Sequence, residues 1–199
     1  MKLNQNIEKE SNKASLTIKT DDNVLINEYI KNKSELAAKC IVNKYRQDVF
    51  KYVVNYVKDI DDAYDISQDI FIKILSKIEQ FEQRSSFKTW IFAITRNTCL
   101  TFLKSKNNNT NIFSDVDIED LNSKYRLPDN SLETKDLNVV LAKAIKSLPK
   151  KQRESFFMHY ILKLKHHEIA DITSTSEGTV KANCFQAIAK LRKKLSNYV

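Results

Sequence analysis

Glycine occurs once and proline twice in 199 residues. All-β domains turn the chain tightly and often, and tight turns draw on Gly and Pro. That scarcity argues against a sheet-built fold and for helices joined by polar connections. The three cysteines, Cys40, Cys99 and Cys184, are odd in number, far apart and form no CxxC pair. A disulfide framework or cysteine zinc site is therefore not expected; a reducing compartment is, with all three thiols as small buried side chains. No apolar run reaches membrane-spanning length. Residues 1–20 are polar and lack the apolar stretch of a signal peptide, so they read as a loose N-terminal tail. The expectation is a cytoplasmic protein without membrane insertion.

Catalytic patterns are missing as well. Gly178 is the sole glycine, which rules out a Walker loop or GxGxxG. His166, His167 and Glu168 do not make HExxH, because Asp171 stands where the second His belongs. Both histidines read as exposed helix-start residues, and His159 as a helix-surface or packing residue. No Ser-His-Asp or Cys-His arrangement stands out. The sequence thus predicts no metal, no cofactor and no enzyme.

What is present is a well-charged globular composition, with 42% hydrophobic and 29% charged residues and a formal net charge of +8. A basic balance suggests an anionic partner, nucleic acid first and a membrane surface second. The hydrophobic period is helical nearly throughout. Asp21 or Asp22 suits the cap of a first helix carrying Val24, Leu25, Ile26 and Ile30. Ser34 suits the cap of a second, whose stripe is Ile41, Tyr45, Val49, Tyr52 and Tyr56. A third starts near Asp61 or Asp62 with Ala63, Ile66, Ile70, Ile74 and Ile78. A fourth starts near Ser85 or Ser86 with Phe87, Trp90, Ile91, Ile94 and Phe102, and ends around Lys104 to Lys106.

The composition then changes. Residues 107–136 hold seven acids and three bases and show no apolar period, so they read as an acidic linker. From Leu137 the helical period returns in Leu137, Val140, Leu141, Ala144, Ile145 and Leu148. Pro149 suits the first turn of the next helix, which carries Phe156, Phe157, Tyr160 and Ile161. A short helix over His166 to Ile172, a polar break over Thr173 to Ser176 and a long helix from Glu177 to about Asn197 follow. The last carries Val180, Cys184, Ile188, Leu191 and Leu195. Residues 137–199 hold twelve Lys/Arg and four Asp/Glu, so the positive charge is concentrated there.

Short helix, turn and longer basic helix make a helix-turn-helix candidate. Ile169, Ala170 and Ile172 would pack the first helix on the second, and Ser176 would cap the second. Gly178 and Thr179 sit in its first turn, where a small residue permits close approach of a phosphate and a hydroxyl and amides donate to it. Lys181, Asn183 and Gln186 fall where side chains reach a major groove, with Arg192, Lys193 and Lys194 along the backbone. The plainer reading of the same pattern is two amphipathic helices in a bundle.

The stretch Leu148–Leu195 resembles region 4 of the sigma-70 family, in its extracytoplasmic-function (ECF) branch. The matching residues are LPKKQRE (Leu148–Glu154), EIA (Glu168–Ala170), GTVK (Gly178–Lys181) and the tail AKLRKKL. The resemblance implies reading of the minus-thirty-five promoter element by Ser176, Gly178, Thr179, Lys181, Ala182, Asn183 and Gln186. Four positions depart from the family. Ser174 and Lys163 stand where glycines are usual, and Thr175 where an apolar residue is usual. Ser and Lys cost more than Gly in a left-handed backbone, so a slightly strained or reshaped turn is expected. Asn183 replaces a common Arg, which bears on sequence preference.

The stretch Asp22–Lys106 resembles region 2 of the same family, above all in AYDISQDIFIKIL (Ala63–Leu75) and SSFKTWIFAITRNTCLTFL (Ser85–Leu103). The resemblance implies that the first piece docks on core RNA polymerase, through Asp65, Gln68, Asp69 and Ile72. Asp65, Asp69 and Ile72 lie off the stripe 66, 70, 74; a solvated acidic face with one stray Ile is the plainer reading. The second piece implies capture of a flipped minus-ten base and contact with adjacent DNA, by Phe81, Gln83, Arg84, Ser85, Ser86, Lys88, Arg96, Asn97 and Lys104. Aromatic and amide walls with nearby cations suit that task. Phe87 and Trp90 read as core.

The expected architecture is therefore all-α: a tail (1–20), a region 2 helical bundle (21–106), an acidic linker (107–136) and a region 4 helix-turn-helix domain (137–199). The resemblance implies core RNA polymerase and promoter DNA as partners, an anti-sigma factor as a further one, and a linker threading toward basic polymerase channels. The rivals are a stand-alone helix-turn-helix regulator that binds duplex DNA without polymerase, and a helical interaction or RNA-binding protein.

Overall fold

The computed structural model describes residues 21–57, 59–107 and 140–196. The expected tail, Leu137 and the linker beyond Asn107 lie outside the described residues. Helices make every described secondary-structure element, and the chain divides into two compact units.

The described residues of the first unit form four helices. Helix α1 (Asp22–Asn32) is capped by Asp21, whose carboxylate accepts from the Asn23 amide at 3.0 Å. Lys33 closes it in the left-handed conformation, φ 48°. Ser34 caps α2 (Glu35–Val54) by accepting from the Ala37 amide at 3.3 Å. Helix α2 packs against α1, α3 and α4. Its whole expected stripe is buried. The phenols of Tyr52 and Tyr56 hydrogen-bond each other at 2.8 Å, so neither hydroxyl is stranded in the core. The Asp22 carboxylate ties α1 to α2 by accepting from the Tyr45 hydroxyl at 2.7 Å and Lys44 Nζ at 2.8 Å. Burial, then the Asp22 hydrogen bond, pushes the Tyr45 phenol pKa far up.

Helix α3 (Ile60–Lys77) buries Ala63, Ile66, Ile70 and Ile74, and the 3₁₀ turn Ile78–Gln80 that follows buries Ile78. Helix α4 (Phe87–Asn107) starts at Ser86, whose hydroxyl accepts from the Thr89 amide at 3.1 Å. It contacts both α2 and α3, so its covered face is wider than one stripe. Phe87 and Ile91 are buried as expected. Phe92, Thr95, Cys99 and Leu103 are buried too, while Trp90, Ile94 and Phe102 are half-buried. The Thr95 hydroxyl is satisfied by donating to the Ile91 carbonyl at 2.9 Å.

The second unit holds α5 (140–146), α6 (Lys150–Phe156), α7 (His166–Thr173) and α8 (Glu177–Leu195). Ala144, Leu148, Phe156, Ala187 and Leu191 form its shared core, with Ile145, Ile188 and Leu195 against it. Pro149 is the N-cap of α6 rather than a first-turn residue, with φ −53° and ψ 143°. Behind α6 comes one π turn, Phe157–Ile161, in which the Leu162 amide donates to the Phe157 carbonyl at 3.0 Å. A π turn takes an extra residue and shifts the helical phase. The expected set is corrected accordingly. Phe156 is buried, but Tyr160 and Ile161 are exposed, and Met158, Leu162 and Leu164 take the core.

Lys163 and Ser174, both expected at glycine-preferring positions, have φ 60° and φ 53°. Ser174 ends α7 in the left-handed conformation, and the Thr175 amide returns to the Ala170 carbonyl at 3.0 Å. All three cysteines are buried, and burial raises the Cys184 thiol to about 11.

Candidate nucleic-acid interface

In the second unit, Ile169, Ala170 and Ile172 of α7 face inward toward α8. Ser176 caps α8 by accepting from the Thr179 amide at 3.1 Å, with its hydroxyl 2.8 Å from that of Thr179. Glu168 steadies the start of α7 by accepting from the Lys165 amide at 2.8 Å. The inner face of α8 is Val180, Cys184, Ala187 and Leu191. That fixes the opposite face. Ser176, Gly178, Thr179, Lys181, Ala182 and Gln186 are exposed, and Asn183 is half-buried at its edge.

A side chain on Gly178 would meet only Ser176 Oγ, at 3.9 Å. Internal packing does not require the glycine. Lys181 pairs with Glu177 at 2.7 Å, and that hydrogen bond holds the Glu177 carboxyl below its usual pKa. Both partners are well exposed, and exposed pairs contribute little, so Lys181 is easily exchanged to another anion. Gln186 Oε1 accepts from Gln152 Nε2 of α6 at 2.6 Å.

The sequence reading missed Phe185. It lies in the middle of the exposed face of α8 and is 76% exposed, more than any other large apolar residue described. The available signal was its position four residues after Lys181, off the stripe 180, 184, 188, 191.

His166 is corrected: it is half-buried, with its ring stacked on His159 at 4.1 Å between centroids. His159 Nδ1 lies 2.9 Å from the Leu164 carbonyl. Burial first, then the neighbouring His159 and Lys181, lowers the His166 pKa. His167 is exposed as expected.

In the first unit, Asp65, Gln68, Asp69 and Ile72 of α3 share one exposed face, opposite Ile66, Ile70 and Ile74. Ile72 is 66% exposed. Neither Asp65 nor Asp69 has an ion-pair partner among the described residues.

The nine residues proposed for the downstream element do not all stand in one condition. Phe81 is half-buried, its ring packed on Phe87 at 5.2 Å and Trp90 at 5.5 Å, and Phe87 and Trp90 are themselves stacked at 5.6 Å. This aromatic cluster anchors the loop 81–86 to the start of α4. Gln83 is exposed with φ 56°. Exposed Arg84 pairs with Glu82 at 2.6 Å. Ser85 donates to the Ser86 carbonyl at 3.3 Å, and Ser86 is the helix cap. Lys88 is held by Asp48 at 3.2 Å with about a third of each side chain exposed, a pairing the sequence did not signal. Asn97 and Lys104, seven residues apart, are exposed on one face of α4, and Arg96 is half-buried. Among the described residues no group of three His, Cys, Asp or Glu is placed to hold a metal, and no helix is long and apolar enough to cross a membrane.

The family pattern for sigma-70 region 2 matches residues 41–109, and that for sigma-70 region 4 matches residues 139–191. RNA polymerase sigma factor SigV of Bacillus subtilis is 30% identical over 161 residues, covering 81% of this chain and 92% of the relative. The ECF RNA polymerase sigma-E factor of Escherichia coli K12 is 29% identical over 174 residues, covering 83% and 90%. The fold is shared with CnrH, solved in complex with the cytosolic domain of CnrY (TM-score 0.64, 18% identity, 88% of this chain and 97% of that one). It is also shared with the sigma factor RpoE of Bartonella quintana, solved with the anti-sigma factor NepR (TM-score 0.63, 22% identity, 79% and 96%). With both family patterns in order along one chain, and a relative at 30% identity spanning four-fifths of it, the chain belongs to the sigma-70 family of RNA polymerase sigma factors, in its extracytoplasmic-function branch.

Proposed function

We propose that this sigma factor binds core RNA polymerase through the α3 face at Asp65, Gln68, Asp69 and Ile72, and places α8 in the major groove of an upstream promoter element. The loop 81–86 and the exposed side of α4 then engage the downstream element as it melts. The observation that carries the upstream reading is the build of α8: a Ser176-capped start, a glycine that packing does not need, and an exposed face running from Gly178 through Lys181 and Ala182 to Gln186. Amides at a helix start attract phosphate, and Gly178 lets the sugar-phosphate backbone come close. Phe185 adds an apolar surface of the kind that meets a thymine methyl group.

The exposed Ile72 between acids supports the polymerase role of α3, since an isolated large apolar side chain at the centre of a polar rim is what an interface uses. The domain limits 21–106 and 137–199 agree with this division of labour. The protein acts by binding, with no chemistry of its own, in the cytoplasm where polymerase and promoters are, and an anti-sigma protein regulates it. The family membership favours this reading over a regulator that works without polymerase.

Two substitutions separate the roles. Asp69→Lys weakens binding to core polymerase while leaving free-protein binding to duplex upstream DNA unchanged. Lys181→Ala weakens the upstream contact, and lowers its salt dependence by about one ion, with core binding intact. Loss of both activities in either variant would contradict the assignment.

A further inference from the structure

We propose that Gln152 is a positioning residue: it draws the Gln186 carbonyl oxygen to itself and leaves the N–H end of that amide for DNA, so that the base read by Gln186 is guanine rather than adenine. The proposal rests on the reading of α8 as the upstream-element helix.

Gln152 lies on α6 and is only 9% exposed. Its Nε2 donates to Gln186 Oε1 at 2.6 Å. Its own Oε1 is buried and finds no partner among the described residues. A buried carbonyl left unpaired is unfavourable, and an apolar residue of similar volume would avoid it. Packing alone therefore does not account for a glutamine here. The one thing its amide achieves is the bond to Gln186.

That bond determines what Gln186 offers to the groove. An untethered glutamine pairs with adenine through both halves of its amide, donating to N7 and accepting from the N6 amino group. Gln186 has its carbonyl oxygen turned inward to Gln152, while the residue itself is exposed. The oxygen keeps a second lone pair, but with it drawn to the Gln152 side the N–H donors are the end of the amide left for DNA. Guanine presents two neighbouring acceptors, O6 and N7, and matches that group. Adenine offers one acceptor beside a donor, and cytosine a donor. The Gln186 position is thus specified from the second layer, by a residue that never touches DNA.

The test is promoter selection by holoenzyme, reconstituted from the full chain and bacterial core RNA polymerase, on a promoter pool randomised across the upstream element. Gln186→Ala identifies the base pair that Gln186 reads. There the unsubstituted protein selects guanine over adenine by about tenfold, the size of one good amide contact. Gln152→Leu frees the Gln186 carbonyl, and the preference at that pair moves toward adenine while the other positions keep their profiles. Gln152→Met, unbranched and of similar length, does the same and guards against misfolding of the Leu variant. The double variant Gln152→Leu/Gln186→Ala matches Gln186→Ala, because the effect of Gln152 passes through Gln186.

Unchanged guanine selection in both Gln152 variants would overturn the proposal, as would selection of adenine by the unsubstituted protein at that pair. A wild-type profile for Gln186→Ala, beside weakened upstream binding by Lys181→Ala, would overturn the proposal and leave the role of α8 standing. No effect from either substitution would remove the role of α8 as well.

Discussion

Ile72→Ala separates the fold of the first unit from its partner surface. Ile72 is 66% exposed on α3, and the core residues Ile66, Ile70 and Ile74 lie on the other side of the helix. Truncation removes three carbon atoms. If a partner covers them fully, each CH₂-sized group contributes about 0.8 kcal/mol, or roughly 2.4 kcal/mol in all. About two-thirds of that side chain is open to a partner, which leaves roughly 1.6 kcal/mol for binding. At about 1.4 kcal/mol per decade this is a little over tenfold in Kd. The free protein loses almost nothing, because the third already covered is marginal and Ala is a better helix former than Ile by a few tenths of a kcal/mol. The assay is competition of Ile72→Ala with the unsubstituted chain for core RNA polymerase, beside thermal unfolding of each free protein. The expected pair of results is about tenfold weaker competition with an unchanged or slightly raised Tm. Unaltered competition with an unaltered Tm would refute the placement of the polymerase surface on this face.

Two further predictions concern the second unit. Ser174→Gly should raise thermal stability by about 0.5 kcal/mol: the left-handed backbone at φ 53° costs a non-glycine residue about 1–2 kcal/mol, offset by the roughly 0.5–1 kcal/mol of extra chain entropy that Gly loses on folding. Thermal unfolding monitored by circular dichroism checks it. His166 titrates below its ordinary value of 6.5 in the folded chain, chiefly because it is partly buried, so the unfolded chain takes up a proton first as pH falls. Its contribution is complete above that ordinary value and is lost as pH drops from there through the lower folded pKa. Unfolding measured at about pH 7.5 and about pH 5.5 should show this loss, and His166→Asn should reduce the difference between the two.

Much of the first unit was legible because its helices obey simple periods. The α2 stripe at 41, 45, 49, 52 and 56 and the α3 stripe at 63, 66, 70, 74 and 78 are buried throughout. The caps Asp21, Ser34, Ser86 and Ser176 were readable for the same local reason, a short polar side chain within reach of the first free amides. Helix α4 was only half readable. A helix covered from two sides buries residues off its main stripe, and Phe92, Thr95, Cys99 and Leu103 follow from neighbours that a linear pattern does not contain. The π turn at Phe157–Ile161 defeated the period in α6 outright, because one inserted residue moved Met158 and Leu162 into the core and turned Tyr160 and Ile161 out.

At the site, the exposed face of α8 followed from its buried stripe, yet Phe185 was passed over because the polar and charged residues of that face carried the reading, although its place off the stripe marked it as outward. The pairing of Lys88 with Asp48 and of Gln152 with Gln186 spans 40 and 34 residues, and such long-range contacts leave no local trace in sequence.

The most direct measurement is reconstitution: the purified full chain mixed with bacterial core RNA polymerase and supplied with a library of genomic fragments as templates. The account predicts a stable complex that begins transcription from fragments sharing one two-part promoter, with neither component active on them alone. Tight, specific binding of the free chain to duplex DNA, with no complex with core polymerase and no promoter-specific transcription, would contradict it.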